Sequence, residues 1–485
     1  MDYLICVGGG GQHIALAIAR MVRLGVWGDA PKTLVIDADL DSPLARRLRT
    51  FAEPSEEGGG EGPRVPHPLP GLTMQPPLAT GEAGKSFRQS FLGSQPGGAD
   101  NPGGVIEEEL YELFYGPNAD EVDIKQGMAA RPSVGAAVFA DRGIEHLGPH
   151  LEGGFSHARQ VLIAASFIGG TGAGVTHQLV KYLHESPKRN NVDLFGTFLL
   201  PWIEIPPGGQ GAADQVTIQN SAKHGIQHFM EETAPRLRKA MLVGANGSLK
   251  PTKAHDKQDE TVSPFPLLAA YGLDAIMNDR AGARVEGDDN VFTVASDASL
   301  NWLLQMRWAD RSSIAVRWAA ARVFESVVSV FEDASGGVEF RKLEGDAFKS
   351  RSFNPWDETV VNWGGVIRTW AKKSKKEKDL ELAAKVLTHL SARTRQLKMV
   401  TQYLREVFGT AAEGTLGRAG GIQLQSKYEN LNRIDKEKAY RYLSNSFQRC
   451  RSEMKFDENA DAPSFIAESM EQALMAEIIE GQVIS

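Results

Sequence analysis

160-QVLIAASFIGGTGAGVTHQLVKYL-183 is the stretch whose reading decides the fold of this chain. Gln160 to Phe167 is a continuous apolar run, the pattern of a strand buried on both faces of a sheet. Gly169 to Gly174 then places four glycines and one hydroxyl within six residues, and Val175 to Leu183 continues with helical spacing. Strand, glycine turn and helix in that order make half of a βαβ unit, and such units build parallel sheets covered by helices. Glycines at such a turn let backbone N–H groups approach an anion closely, and the helix N-terminus adds partial positive charge. Thr171 would add a side-chain donor to that nest of amides. A tight packing turn without a ligand is the alternative reading.

The same order occurs at the start of the chain. Tyr3 to Val7 (YLICV) reads as a buried strand, Gly8 to Gly11 and Gln12 as the turn, and Ile14 to Leu24 as a helix. The turn departs from the dinucleotide fingerprint, because after Gly8 and Gly10 the third glycine position is His13. A second apolar run, Thr33 to Ile36, ends at Asp37-Ala38-Asp39 and is followed by the helical SPLARRL. Parallel sheets bind ligands at the carboxyl ends of their strands, so both glycine turns are expected to open on one edge. Two phosphate-cradling turns from separate βα units call for a polyphosphate.

The length of 485 residues and 42% hydrophobic content suit two or three domains with ordinary cores. Residues 53–104 are dominated by Pro and Gly (EEGGGEGPRVPHPLPG, GSQPGGADNPGG) and read as a mobile insertion. Strands are expected at 194–200 and 239–243, and helices at 213–232 and within PFPLLAAYGLDAIM. Beyond VEGDDN strand-like runs become scarce, with only GVEFRKL near 337 as a candidate, while a helix over 379–408 carries a long apolar stripe. These patterns predict an α/β domain over 1–285 and a mostly helical region over 286–485. The net charge of −8 argues against broad nucleic-acid binding, which needs dense Lys and Arg. Cys6 and Cys450 give neither a disulfide framework nor zinc-ligand spacing. No run of 18 apolar residues and no signal peptide is present, so a cytoplasmic chain without a membrane span is expected.

GGTGAG at 169–174 resembles the signature loop of the tubulin/FtsZ superfamily, GGGTGTG or GGGTGSG, and GGGGQ at 8–12 resembles its first phosphate loop. LVIDADLDSPL at 34–44 is similar to the second strand and loop, QGMAARPSVG at 126–135 to the third loop, and PLLAAYGLDAIM at 266–277 to the central helix. The resemblance covers about residues 1–280 without the insertion. It implies that Gly9, Gly10, Gly11 and Gln12 cradle phosphate and that Asp37 and Asp39 lie beside phosphate or its metal. It places Ala129, Ala130 and Arg131 near the terminal phosphate, and Gly169, Gly170, Thr171, Gly172, Ala173 and Gly174 around the diphosphate. Tyr271 would cover the base, and Glu204 would lie near the sugar.

The implied ligands are GTP or GDP with Mg²⁺ held through the phosphates, and the implied behaviour is head-to-tail self-association into filaments. GTP hydrolysis in that family needs an acidic residue from the next subunit. No NxDxxD-type sequence follows the central helix here; Asp279, Asp288 and Asp289 are nearby acids without it. Ala129-Ala130-Arg131 also replaces a glycine of the family's GAG, and Arg131 would offer a cation to the terminal phosphate. The alternative is a non-polymerising nucleotide switch whose helical half engages a protein partner. A dinucleotide-dependent oxidoreductase is a third reading.

Other motifs are weaker. Gly81 to Ser86 (GEAGKS) approximates a P-loop but has Ala79 where the first glycine belongs. His224 and His228 are four apart on a predicted helix and lack a third ligand, so a solvated helix face is the plainer reading. Ser166 precedes a glycine turn without the GxSxG context of a nucleophile.

Overall fold

The computed structural model describes residues 2–27, 30–52, 69, 71–77, 131–155, 158–186, 192–204, 215–245, 251–253, 262–278, 290–294, 392–407 and 462–480, with isolated positions at 88–115, 317–324 and 386–390. The chain divides into two compact units, one of Met1–Val22, Trp27–Glu53 and His67–Leu303, the other of Arg23–Val26, Pro54–Pro66 and Leu304–Ser485.

The first unit is an α/β fold. Its strands β1 (Tyr3–Val7), β2 (Lys32–Ile36), β3 (Thr73–Gln75), β4 (Gln160–Ser166), β5 (Asp193–Leu199), β7 (Lys239–Val243) and β9 (Val291–Val294) form a 7-stranded sheet in the order β3-β2-β1-β4-β5-β7-β9. Every neighbouring pair is parallel. β6 (Ile203–Glu204) and β8 (Thr252–Lys253) pair separately. The chain winds outward from β1 in one direction to β3, then returns past β1 to run the other way from β4. The carboxyl ends of β1 and β4 therefore flank the point where the strand order reverses, the place where open α/β sheets bind ligands.

Both faces of the sheet are covered, as uninterrupted apolar strands require. Tyr3, Ile5, Val7, Val161, Ile163 and Ala165 share one core with Phe139, Leu147, Leu179 and Phe229. Those partners come from α3 (Pro132–Val138) with its following π-helical turn Phe139–Gly143, α4 (Ile144–Phe155), α5 (Gly170–Glu185), and the π-helical turn Phe229–Thr233 that ends α6 (Gln215–His228). The opposite face carries α1 (Gly8–Leu24) and α7 (Pro264–Met277). Cys6 lies against the Ala15 backbone of α1, and burial pushes its thiol pKa well up. The Thr197 hydroxyl on β5 donates to the Ala269 carbonyl of α7 at 3.0 Å.

The local signals worked where they were strongest. α2 (Pro43–Thr50) is the helix expected from SPLARRL, with Ser42 Oγ accepting from the Ala45 amide at 3.1 Å and Pro43 in the first turn. α7 begins the same way, with Ser263 Oγ accepting from the Phe265 amide at 3.3 Å. Three differences have physical causes. Both glycine segments wind into the first turn of their helices, so α1 starts at Gly8 and α5 at Gly170 instead of after the glycines. β3 lies inside the stretch read as a mobile insertion, where Leu69 is fully buried and Leu34 to Ile36 of β2 template the pairing. β9, a four-residue VFTV, is completed by pairing with β7 and is too short to stand out in sequence. The candidate strand near 337 lies outside the described residues.

In the second unit residues 392–407 are helical, as the apolar stripe predicts, and α8 spans Ala462–Glu480. Arg23, Arg393 and Glu471 meet there with 8%, 6% and 5% exposure. Glu471 bonds both guanidiniums, and Arg23 also donates through Nε to Gln396 at 2.9 Å. No helix among the described residues is long and apolar enough to cross a membrane.

Candidate functional site

The two glycine turns touch. Gly8 has φ +70°, a left-handed conformation that favours glycine, and a Cβ there would stand 2.8 Å from the Gly172 nitrogen. Gly10 packs so closely on Ser166 that a Cβ would fall 2.3 Å from the serine Cβ. Gly11 lies against the strands themselves, its would-be Cβ 2.7 Å from the Ala164 carbonyl oxygen and 2.9 Å from the Cys6 carbonyl carbon. Gly11 thus takes the close helix-to-strand packing that the third glycine supplies in dinucleotide folds.

Gly9 and Gly169 are different. Among the described residues nothing stands within 4 Å of a Cβ built at Gly9, and one at Gly169 would meet only the Gly172 nitrogen at 3.9 Å. Gly169 is the N-cap of α5 and provides no side-chain hydrogen bond to its first turn. The first N–H groups of a helix have no intrahelical acceptor, so an uncapped glycine start leaves them for a ligand or water. Thr171 (5% exposed), Gly170, Gly172, Ala173 and Gly174 are buried in that first turn and a half.

The third segment reaches the same place from the side. A Cβ at Gly174 would lie 2.2 Å from the Pro132 carbonyl oxygen, and one at Gly135 would lie 2.4 Å from that of Gly170. Arg131, the N-cap residue of α3, therefore directly precedes a residue packed on α5. Ala129 and Ala130 lie outside the described residues.

Gln12 and Asp37 pair with each other at the carboxyl edge. Gln12 Nε2 donates to Asp37 Oδ2 at 2.5 Å, and the Ala38 amide donates to Oδ1 at 2.7 Å. Burial raises the Asp37 pKa from 3.8 to about 6, against the lowering effect of those bonds. Gln12 is 1% exposed and its Oε1 has no partner among the described residues. Asp39 is half-buried and accepts from the Asp41 amide at 3.2 Å, and Glu204 is exposed on β6. Tyr271 is 1% exposed within α7, so stacking on a base would require its present neighbours to move. Among the described residues no group of three His, Cys, Asp or Glu side chains could hold a metal.

Two roles escaped the sequence reading. Ser166 is 3% exposed, accepts from the Ile168 amide at 3.3 Å and fixes the turn beneath Gly10. Trp202, after β5, meets the His13 ring edge-on at 5.2 Å, and burial with the nearby Arg20 charge lowers the His13 pKa to about 4. The strand ends could have suggested Gln12 with Asp37, since both closely follow adjacent strands. Nothing local pointed to Trp202.

Gly172 is packed on three sides by backbone: a Cβ would lie 2.8 Å from the Ser166 oxygen and 3.2 Å from both the Ser166 nitrogen and the Val7 oxygen. Backbone cannot rotate aside as a side chain can, so Gly172→Ala is expected to cost about 1–3 kcal/mol. Urea unfolding measures it, and unchanged stability would show that the turns separate readily.

The fold and site define a doubly wound parallel α/β protein with two glycine turns abutting at its switch point. No protein-family model matches the chain, and no curated protein does. Among solved structures, CetZ2 from Haloferax volcanii, determined as a GTPγS-bound protofilament, is similar with 14% identity and a TM-score of 0.29 over 58% of this chain and 57% of that one. The chain thus matches little more than half the length of that structure. The reading of the site rests on its own geometry.

Proposed function

We propose that this chain binds a nucleoside di- or triphosphate, GTP in the first instance, with its phosphates over the first turns of α1 and α5. The observation that carries the reading is the contact of Gly8 with Gly172 at the switch point, with open space in front of Gly9 and Gly169. Amides from both helices would face one polyphosphate, both helix dipoles would favour its charge, and Thr171 would donate its hydroxyl. Asp37 and Asp39 would orient a magnesium ion held by the phosphates, and Arg131 would neutralise the terminal phosphate. A cytoplasmic protein that self-associates head to tail, hydrolysing GTP when a neighbour supplies an acid, is the fullest form of this reading.

The packing of α3 on α5 supports a second form, a switch. Phosphate occupancy would bias α3 through Pro132 and Gly135. Sedimentation with and without GTP separates the two: nucleotide-dependent pelleting indicates assembly, and tight binding without pelleting indicates the switch. A thermal-shift screen addresses the oxidoreductase reading, which gains if NAD(P) protects the fold and GTP does not.

Gly9→Val and Gly169→Val test the site itself. Each fills open space, so stability should change by less than about 1 kcal/mol. Each obstructs amides whose bonds to a charged ligand are worth about 1.5–3 kcal/mol apiece, so GTP affinity is expected to fall about ten- to a hundredfold. Calorimetry showing unchanged affinity in both variants removes the site.

A further inference from the structure

The sequence pairs His228 with His224, but the fold pairs it with His177 from another helix. The His177 and His228 rings lie 4.6 Å apart, centroid to centroid, with their planes at 70°. His177 sits two turns into α5, while His228 is exposed at the end of α6, where the helix passes into its π-helical turn. Such π turns often mark functional positions.

We propose that His177 and His228 form a two-imidazole site for a divalent copper, nickel or zinc ion, separate from the glycine turns and independent of the nucleotide reading. With metal–nitrogen bonds of about 2.0–2.1 Å, two imidazoles on one ion have centroids roughly 4.5–5.2 Å apart, for ligand angles between a right angle and the tetrahedral angle. The observed separation falls in that range without movement.

The surroundings of His177 are those of a metal ligand. Its Nδ1 is 2.7 Å from Thr233 Oγ1, and the tautomer that donates this bond leaves the Nε2 lone pair for a metal. Phe167 stacks on the ring at 6.1 Å and 27°, restricting its rotation. Among the described residues no third His, Cys, Asp or Glu completes the set.

Cu²⁺, the strongest binder of the series, is the probe. In the full chain the first equivalent should show two-nitrogen hyperfine splitting by electron paramagnetic resonance. His228→Ala removes an exposed side chain and should weaken binding at least about tenfold, with loss of the two-nitrogen signal; Thr233→Val should weaken it about tenfold by freeing the His177 ring. His146→Ala, in the separate His146–His150 pair, should leave the first equivalent unchanged. A first equivalent that survives His228→Ala, or is lost in His146→Ala, overturns the site, and unchanged affinity in Thr233→Val overturns the role given to Thr233.

Discussion

Glu471→Ala is expected to destabilise the chain by about 3–5 kcal/mol, because it strips the anion from two buried guanidiniums. Arg23 and Arg393 are almost wholly enclosed, and Glu471 bonds both. Glu468 stands 3.9 Å from Arg393 and is itself partly exposed, so it compensates only weakly. Burial alone would raise the Glu471 pKa, yet the two arginines hold it below the ordinary carboxylate value. A depressed carboxylate contributes stability that is present above its unfolded pKa and lost as pH falls through its folded one. Guanidinium unfolding at pH 7 should show the full loss and unfolding at pH 3 a smaller one. An effect below about 1 kcal/mol at pH 7 would mean that water reaches the arginines.

Asp37→Asn is expected to act in the opposite direction. Raising a carboxyl from 3.8 to about 6 corresponds to about 3 kcal/mol at 1.36 kcal/mol per unit, a penalty for keeping the ionised group buried. The folded state holds its proton to higher pH than the unfolded state, so stability falls as pH rises from about 4 to about 6. Removing the charge should stabilise the chain at pH 8 by at most about 3 kcal/mol, less the hydrogen bond that asparagine gives up, and should not stabilise it at pH 4. Asparagine keeps one oxygen where aspartate has two, so it can accept from Gln12 or from the Ala38 amide but not from both, and the bond given up offsets about 1 kcal/mol of the gain. The same variant should weaken any ligand whose cation Asp37 orients, which makes the residue one whose cost in stability fits a binding role. Equal stability of variant and parent at pH 8 would show that Asp37 is solvated in the native state.

The candidate site was legible to different depths. Strand, glycines and helix follow one another within a dozen residues at both turns, so their existence and mutual edge could be read from composition and period alone. Gly172 shows where such reading ends. In sequence it looks like one amide donor among several, and its substitution by valine looks like a clean block to a ligand. In the fold Ser166 and Val7 enclose it, so that change disturbs the sheet edge itself, and Gly9 and Gly169 become the clean positions. Gln12 was similarly read as a phosphate contact, whereas its amide is already donating to Asp37.

What the sequence determined by itself is the set of βα units, because buried parallel strands, glycine starts and capped helices are local patterns with local causes. What only the tertiary structure decided is which of them are neighbours. The strand order placed β1 beside β4 and so set Gly8 against Gly172. It also let β2 and β7 recruit β3 and β9, and brought His177 to His228. Such contacts join residues far apart in the chain, and their free energy comes from burying both partners together, which no short window of sequence contains.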